Sequence, residues 1–180
     1  DMCEDKEAVT KYTAVTRFFR AFFYFEKVKR FGDVPWYDIQ LGSADELLYK
    51  PRDSRELILT KMLEDIDYAI NSGGLTESAA DPYHVNKWAA LALKAQFCLY
   101  EGTYRKYHNL NLDGHDANFY LDLAAKAALE IIEKGPYKLY QTGHPEKDYL
   151  TLFAQKDASP EEYILAIKFD YAIGARHNAS

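Results

Sequence analysis

The stretch from Thr16 to Trp36, TRFFRAFFYFEKVKRFGDVPW, decides the fold class of this chain. From Phe18 to Phe25, seven of the eight residues are apolar or aromatic, so a helix here would bury most of its circumference between other elements. In Gly32–Pro35, glycine permits the left-handed residue that ends a helix, and proline prevents the helix from resuming. We therefore expect a first helix from about Glu7 to Arg30, with Phe22 at the centre of a buried aromatic run.

An ordered set of short motifs runs through most of the chain and begins in this stretch. Its first members are Arg17, Arg20, Ala21, Tyr24 and Phe25, followed by Gly32–Pro35. Its later members are Tyr49-x-Pro51-Arg52-x-Ser54, Asp65-Ile66-Asp67-x-Ala69, Val85-Asn86-Lys87-x-Ala89-Ala90, Leu99-Tyr100-Glu101-Gly102-Thr103 and Tyr149-x-x-Leu152-Phe153. In order and content, this set resembles the SusD/RagB family of outer-membrane nutrient-binding proteins.

The resemblance implies both an architecture and a function. It implies a tetratricopeptide-like helical scaffold that carries a less regular ligand-binding part. It also implies a non-enzymatic lipoprotein on the cell surface, which captures a glycan or other nutrient and hands it to a TonB-dependent, SusC-like outer-membrane transporter. Members of the family are normally far longer than 180 residues and carry an anchoring leader. We therefore expect residues 1–180 to be a single scaffold domain and a fragment of a longer protein.

The periodicity of the remaining chain adds three helices. Asp53–Ser54 is a capping signal for a second helix, which ends near Gly73–Gly74. The third and fourth helices, about Asn86–Tyr104 and Asn118–Lys134, are rich in alanine and can approach each other closely. The apolar run Glu162–Phe169 favours a short strand. The sequence thus predicts a mostly α fold of tetratricopeptide-like antiparallel hairpins with irregular loops and little β-structure, although periodicity alone gives only antiparallel helical hairpins.

Charge and cysteine content exclude several classes of protein. With 22 Lys and Arg against 28 Asp and Glu, the net charge of −6 makes nucleic acid an unlikely partner. No run of 18 apolar residues is present to span a membrane. Cys98 lies in an apolar helical pattern and is expected to be a small buried residue. Cys3 follows only two residues, without an apolar leader, and is expected to be an ordinary cysteine.

Motifs for catalysis or metal binding are weak. The five histidines fall in loops or at helix edges without a serine elbow, and the acidic residues Glu64, Asp65 and Asp67 fit a solvated helix face. Asp33 is expected to shape its turn. Asn109–Gly114 matches the start of a calcium loop, but its twelfth position is Tyr120 where a bidentate glutamate is needed. We expect no metal and no cofactor.

Aromatic residues outside the helices are the candidates for ligand binding. A sugar ring packs its C–H faces on an aromatic plane, and Trp36 and Tyr37 follow the Gly32–Pro35 turn in an irregular loop. The competing interpretation is that Trp36 pins this loop onto the first helix, because large aromatic residues are mostly buried. Trp88, in an alanine-rich helix, is expected to fill the core. Two other functions stay open: a tetratricopeptide adaptor that binds peptides, and a glycoside hydrolase with a helical fold.

Overall fold

The structure is a computed structural model that describes residues 4–170, and there it consists mainly of five α-helices. The helices are α1 (Lys6–Phe31), α2 (Arg55–Asn71), α3 (Lys87–His108), α4 (Ala117–Lys134) and α5 (Pro145–Phe153), with a short 3-10 turn at Glu46–Tyr49. The predicted mostly α fold is confirmed, as are the four predicted helices. The sequence analysis did not identify α5. The predictions for Cys3 concern a residue outside the described range.

Polar side chains at the helix starts explain most of these boundaries. Asp5 accepts hydrogen bonds from two backbone N–H groups at the start of α1, and Gly32 ends this helix with a positive φ of 67°. Ser54 caps α2 as predicted, since its hydroxyl accepts a hydrogen bond from the Leu57 N–H at 3.3 Å. The side chains of Asn86 and Asp116 cap α3 and α4 in the same way.

The first four helices form two antiparallel hairpins, α1 with α2 and α3 with α4, and α2 also packs on α3. The two helices of the second hairpin approach closely at Gly102, where an added Cβ would lie 2.7 Å from the Leu121 side chain. Ala124 and Ala127 of α4 are buried, in keeping with the predicted close packing of small residues. Gly102 therefore permits a helix contact that alanine could not make without displacing Leu121.

One continuous apolar core joins the two hairpins. Each of the first four helices contributes buried side chains to it. Separately, none of the described helices is long and apolar enough to cross a membrane. Phe18 and Phe25 of α1 lie in this core together with Phe97 of α3, whose ring centroid lies 6.2 Å from that of Phe25. The other large members are Tyr24, Trp36, Ile58, Leu59, Met62, Ile66, Leu93 and Tyr120.

The expectation that α1 buries most of its circumference is wrong. Phe22 is 44% exposed, and its neighbours Phe19 and Phe23 are also exposed, whereas Phe18 and Phe25 are buried. The physical reason is that α2 and α3 cover only one side of the helix, so the aromatic residues on the other side have no helix packed against them in the described range. The aromatic run thus contributes both to the core and to the surface.

The strand predicted for Glu162–Phe169 is also wrong. These residues form turns, bends and irregular backbone, without a neighbouring strand in the described range to supply a ladder of hydrogen bonds. The Ala166 N–H donates instead to the Pro82 carbonyl at 2.8 Å, and Ile164 packs against the core. An apolar run of this kind buries side chains without becoming a strand when it meets a loop and helices instead of a sheet edge.

Candidate functional site

The turn after α1 is bound to the start of α2. The Asp33 carboxylate accepts a hydrogen bond from the Arg55 N–H at 2.8 Å, and the Asp53 N–H donates to the Val34 carbonyl at 3.2 Å. Asp33 thus shapes its turn, as the sequence analysis expects. These two contacts fix where the irregular loop leaves the helices.

Asp53 holds the next part of this loop. Its carboxylate accepts hydrogen bonds from the Lys50 ammonium at 2.8 Å and from the Trp36 N–H at 2.7 Å. These bonds, the one from Lys50 first, hold the pKa of the Asp53 carboxyl below its usual range. The loop therefore leaves the turn in a fixed direction.

Trp36, one of the two predicted ligand contacts, packs onto α1. Only 7% of the residue is exposed; its ring centroid lies 4.3 Å from that of Tyr24, and the Arg20 guanidinium lies 4.9 Å from its centroid. The Trp36 Nε1–H is buried without a hydrogen-bond partner among the described residues. This packing matches the alternative in which Trp36 pins the loop. A contact between Trp36 and a ligand stays a prediction.

Tyr37, the second predicted contact, is half-buried. Its N–H donates to the Tyr24 hydroxyl at 2.7 Å, and its own hydroxyl donates to the Leu47 carbonyl at 2.9 Å. The Lys50 ammonium lies 5.0 Å from its ring centroid. Tyr37 is therefore held by its backbone, by its hydroxyl and by a cation near its ring, and its role in binding also stays a prediction.

A groove of about 640 Å³ lies beside this loop, along the first half of α1. Tyr12 stands in its wall with 66% of the residue exposed. Other polar side chains that line the groove are Thr13, Thr16, Arg17, Arg20 and Asp38. The groove thus combines an accessible aromatic ring with donors and an acceptor for hydroxyl groups, which are the features that a sugar site requires.

The two arginines of the groove rest on α2. Arg20 donates two hydrogen bonds to Asp65, at 2.6 and 2.7 Å, and the Asp65 side chain is only 3% exposed. Arg17 lies 3.7 Å from the same carboxylate and 4.2 Å from the centroid of the Tyr68 ring. The hydrogen bonds that Arg20 donates to Asp65 raise the pKa of its guanidinium, against the effect of its partial burial. Arg20 is therefore held as a cation at the groove.

Sequence reasoning missed the groove, although Arg17 and Arg20 belong to the first motif. The expectation that Asp65 lies on a solvated face of α2 is wrong, because the two arginines of α1 cover it. The signal in the sequence was the spacing of the two arginines, three residues apart and hence on one face of the helix. The contribution of Asp38 could not be seen, because it depends on the path of the loop.

A second cavity, of about 580 Å³, is mainly apolar. It lies between the exposed side of α1, where Phe19 and Phe22 line it, and residues 164–168. Tyr83 and Val85 close it from the loop before α3. Polar groups are few in this cavity, so it offers little to orient a hydroxylated ligand.

A buried network of charges joins α2 to α3. Arg55 donates to Glu101 at 2.5 and 2.9 Å, and Arg105 donates to the same carboxylate at 2.8 Å. Arg105 also donates to Glu56, whose other oxygen lies 2.6 Å from the His115 Nδ1. Two cations and two anions thus balance each other. Burial lowers the pKa of the Arg105 guanidinium, but the hydrogen bonds that it donates to Glu56 and Glu101 outweigh this effect, and the net shift is upward.

The calcium-like segment Asn109–Gly114 forms the tight connection between α3 and α4. Asn109 and Asp113 both adopt positive φ angles, near 50°, and the Leu112 and His115 backbones exchange hydrogen bonds. Such residues are favoured in turns of this kind. Within residues 4–170, no group of three histidine, cysteine or acidic side chains is arranged to hold a metal ion.

The fold is similar to that of solved SusD-like structures. A SusD-like protein from Bacteroides fragilis NCTC 9343 matches 92% of this chain and 28% of its own, with 27% identity and a TM-score of 0.68. A structure solved with a xylogluco-oligosaccharide matches 93% of this chain and 31% of its own, with 23% identity and a TM-score of 0.69. The chain therefore has a SusD-like fold, which confirms the predicted resemblance at the level of the fold.

The sequence comparisons add less. No protein-family model matches the chain. A segment of 73 residues is 37% identical to part of a phenylalanine dehydrogenase from Bacillus thermotolerans, which is 41% of this chain and 19% of that enzyme. The chain thus spans about a fifth of that enzyme and less than a third of either solved structure. A match confined to so short a segment does not define a shared activity.

Proposed function

We propose that this protein binds a glycan or another nutrient without catalysis and delivers it to a TonB-dependent, SusC-like outer-membrane transporter. The observation that carries the proposal is the SusD-like fold, because one neighbour with this fold was solved with a xylogluco-oligosaccharide. The proposal places the protein on the cell surface as an outer-membrane lipoprotein. It also makes the scaffold one part of a longer protein, since the chain spans less than a third of either solved neighbour.

The groove along α1 supports a saccharide ligand. The exposed Tyr12 ring can pack on the apolar face of a sugar, while Arg17 and Thr13 donate hydrogen bonds and Asp38 accepts them. A groove of about 640 Å³ has the size of a site for a small ligand, so it can hold a few sugar units of a longer chain.

The proposed site includes Trp36 and Tyr37, which precede Asp38 in the loop. Trp36 contacts Arg20 and so helps to fix a side chain of the groove wall. Tyr37 adds a half-buried ring next to Asp38 in the chain. Replacing Tyr37 with alanine should weaken saccharide binding, whereas Tyr37→Phe, which removes only the hydroxyl and its bonds to the Leu47 and Leu48 carbonyls, should retain it. Equal binding by all three proteins would exclude Tyr37 from the site.

The absence of catalysis is supported by the state of the buried carboxylates. A glycoside hydrolase needs one carboxyl group as an acid and a second as a base or nucleophile, both open to the substrate. Glu56 and Glu101 are the carboxylates buried together, and both are bound by arginine. Both are buried in ion pairs, so neither is open to a substrate.

One experiment separates the three functions that the sequence leaves open. The protein is passed over a panel of immobilised polysaccharides that includes xyloglucan, and the eluate is assayed for new reducing ends. Retention without product supports a binding protein, and product formation would identify a hydrolase. If the protein is not retained and no product forms, the result contradicts the proposal and favours a peptide-binding adaptor.

A further inference from the structure

We propose that the groove along α1 selects an acidic saccharide, with Arg17 as the residue that binds its anionic group. This inference rests on the proposed saccharide-binding function. It concerns the chemical class of the ligand, which is a sugar that bears a carboxylate or a sulfate. The observations that carry it are the different pairing of the two groove arginines and the burial of their shared partner.

Asp65 is engaged mainly by one of the two arginines. Arg20 donates one hydrogen bond to each oxygen of the Asp65 carboxylate, at 2.6 and 2.7 Å. This bidentate pairing is the strongest geometry available to a guanidinium and a carboxylate. Arg17 approaches the same carboxylate only to 3.7 Å, beyond the range of a hydrogen bond. The N–H groups of Arg17 are thus not used by Asp65.

Arg17 is nevertheless held in a defined position. Its guanidinium lies 4.2 Å from the centroid of the Tyr68 ring, in a cation–π contact. The side chain is about one-third exposed and lines the groove. A planar guanidinium that is oriented in advance matches the two oxygens of a carboxylate or sulfate and loses little entropy on binding.

The charges at the groove leave one arginine to pair with an anion. The buried Asp65 carboxylate offsets one of the two cations, and its bidentate pair is with Arg20. Of the other two charged residues that line the groove, Arg17 and Asp38, only Arg17 can attract an anionic group. Asp38 remains at the groove as an acceptor for sugar hydroxyls, and it opposes the binding of a second anionic group.

The test compares soluble polygalacturonate, a sulfated galactan and neutral xyloglucan by isothermal titration calorimetry, for the parent protein and matched variants. Arg17→Gln should weaken binding of an acidic polymer about tenfold or more, since it removes a charge-assisted bidentate contact. Arg30→Gln, which changes the same charge on an exposed position of α1 outside the groove, should have little effect. Asp38→Asn should strengthen binding of the acidic polymer, and added salt should weaken it.

The outcomes are distinct. The inference is supported if one of the acidic polymers binds more tightly than xyloglucan and only the Arg17→Gln variant loses this preference. Whether that polymer is polygalacturonate or the sulfated galactan shows whether the ligand carries a carboxylate or a sulfate. If xyloglucan binds as tightly as the acidic polymers, and neither Arg17→Gln nor Asp38→Asn changes the affinity, the inference is overturned. The proposed function is then left intact. Failure of both acidic polymers to bind would overturn the inference, whereas only failure of the whole polysaccharide panel would contradict the proposed function. Circular dichroism of each variant establishes that it is folded.

Discussion

The Asp65 carboxylate accepts two hydrogen bonds from the Arg20 guanidinium and thereby joins α2 to α1 beneath the groove. The same carboxylate lies 3.7 Å from Arg17, so a single buried anion lies close to both arginines of the groove wall. The shape of the groove wall therefore depends on a contact between residues that are 45 positions apart in the sequence. This pair is a structural link between α1 and α2, and it fixes one wall of the proposed site.

Substitution of Asp65 by asparagine should destabilise the fold by about 2–3 kcal/mol. Removing one partner of a buried ion pair typically costs about 3–5 kcal/mol, and this figure is reduced here because the Arg20 side chain is partly exposed. The measurement is the free energy of unfolding in urea. Asp67→Asn on the same helix is the control, because its pair with Lys94 is more exposed and should contribute about 1 kcal/mol or less. Equal costs for the two variants would contradict the special role of Asp65.

The two phenylalanines at positions 22 and 25 should differ clearly on truncation to alanine. Phe25 is buried against Phe97, so its loss should cost about 3–5 kcal/mol through lost burial and a residual cavity. Phe22 is 44% exposed and should cost about 1–2 kcal/mol, since less area is lost. Thermal unfolding of the two variants under identical conditions checks this. A larger loss for Phe22 than for Phe25 would mean that the exposed side of α1 is covered in solution.

Arg105 should be the least replaceable residue of the buried network. Its change to alanine leaves the Glu56 and Glu101 carboxylates with one cation fewer in a buried site, at a cost of about 3–5 kcal/mol. The measurement is the urea midpoint, compared with that of Arg30→Ala, an exposed arginine 72% open to solvent at its side chain. We expect the Arg30 variant to stay within about 0.5 kcal/mol of the parent. A small effect at Arg105 would show that the network is not closed to water.

The elements of the fold could be predicted from the sequence because their signals are local. Apolar spacing, Ser54 and Gly32 define the helices and two of their ends, and each acts within one or two turns. The side of α1 that is buried could not be predicted in the same way. Phe22 and Phe25 are equally apolar in the sequence, and only the positions of α2 and α3 decide which one meets the core.

The candidate site depends still more on distant contacts. Trp36 and Tyr37 were predicted from residue type and loop position, but the loop turns Trp36 onto α1. The groove was missed because it combines α1 with Asp38 of the loop, and because Asp65 lies below it on another helix. Charged residues whose partners lie on different helices give no periodic signal.

Cys98 should be inert in the folded protein. Burial raises the pKa of its thiol to about 12, so the reactive thiolate forms only near that pH and is negligible at pH 8. In a Cys3→Ser variant, which leaves Cys98 as the only thiol, a disulfide reagent should react at pH 8 only after unfolding in urea. The rate of absorbance change with and without urea is the measurement. Rapid reaction without urea would show that the core around α3 opens readily.

The groove is tested as the ligand site by the affinity of the Tyr12→Ala variant for a polysaccharide that the parent protein binds. Tyr12 is exposed in the groove, so its loss should weaken binding by about 1–3 kcal/mol in calorimetry while leaving the melting temperature nearly unchanged. Tyr107→Ala is the matched control, because Tyr107 is 86% exposed near the end of α3 and does not line the groove. We predict that only the Tyr12 variant loses affinity. Unchanged affinity in the Tyr12 variant, or an equal loss in both, would contradict the assignment of the groove as the ligand site.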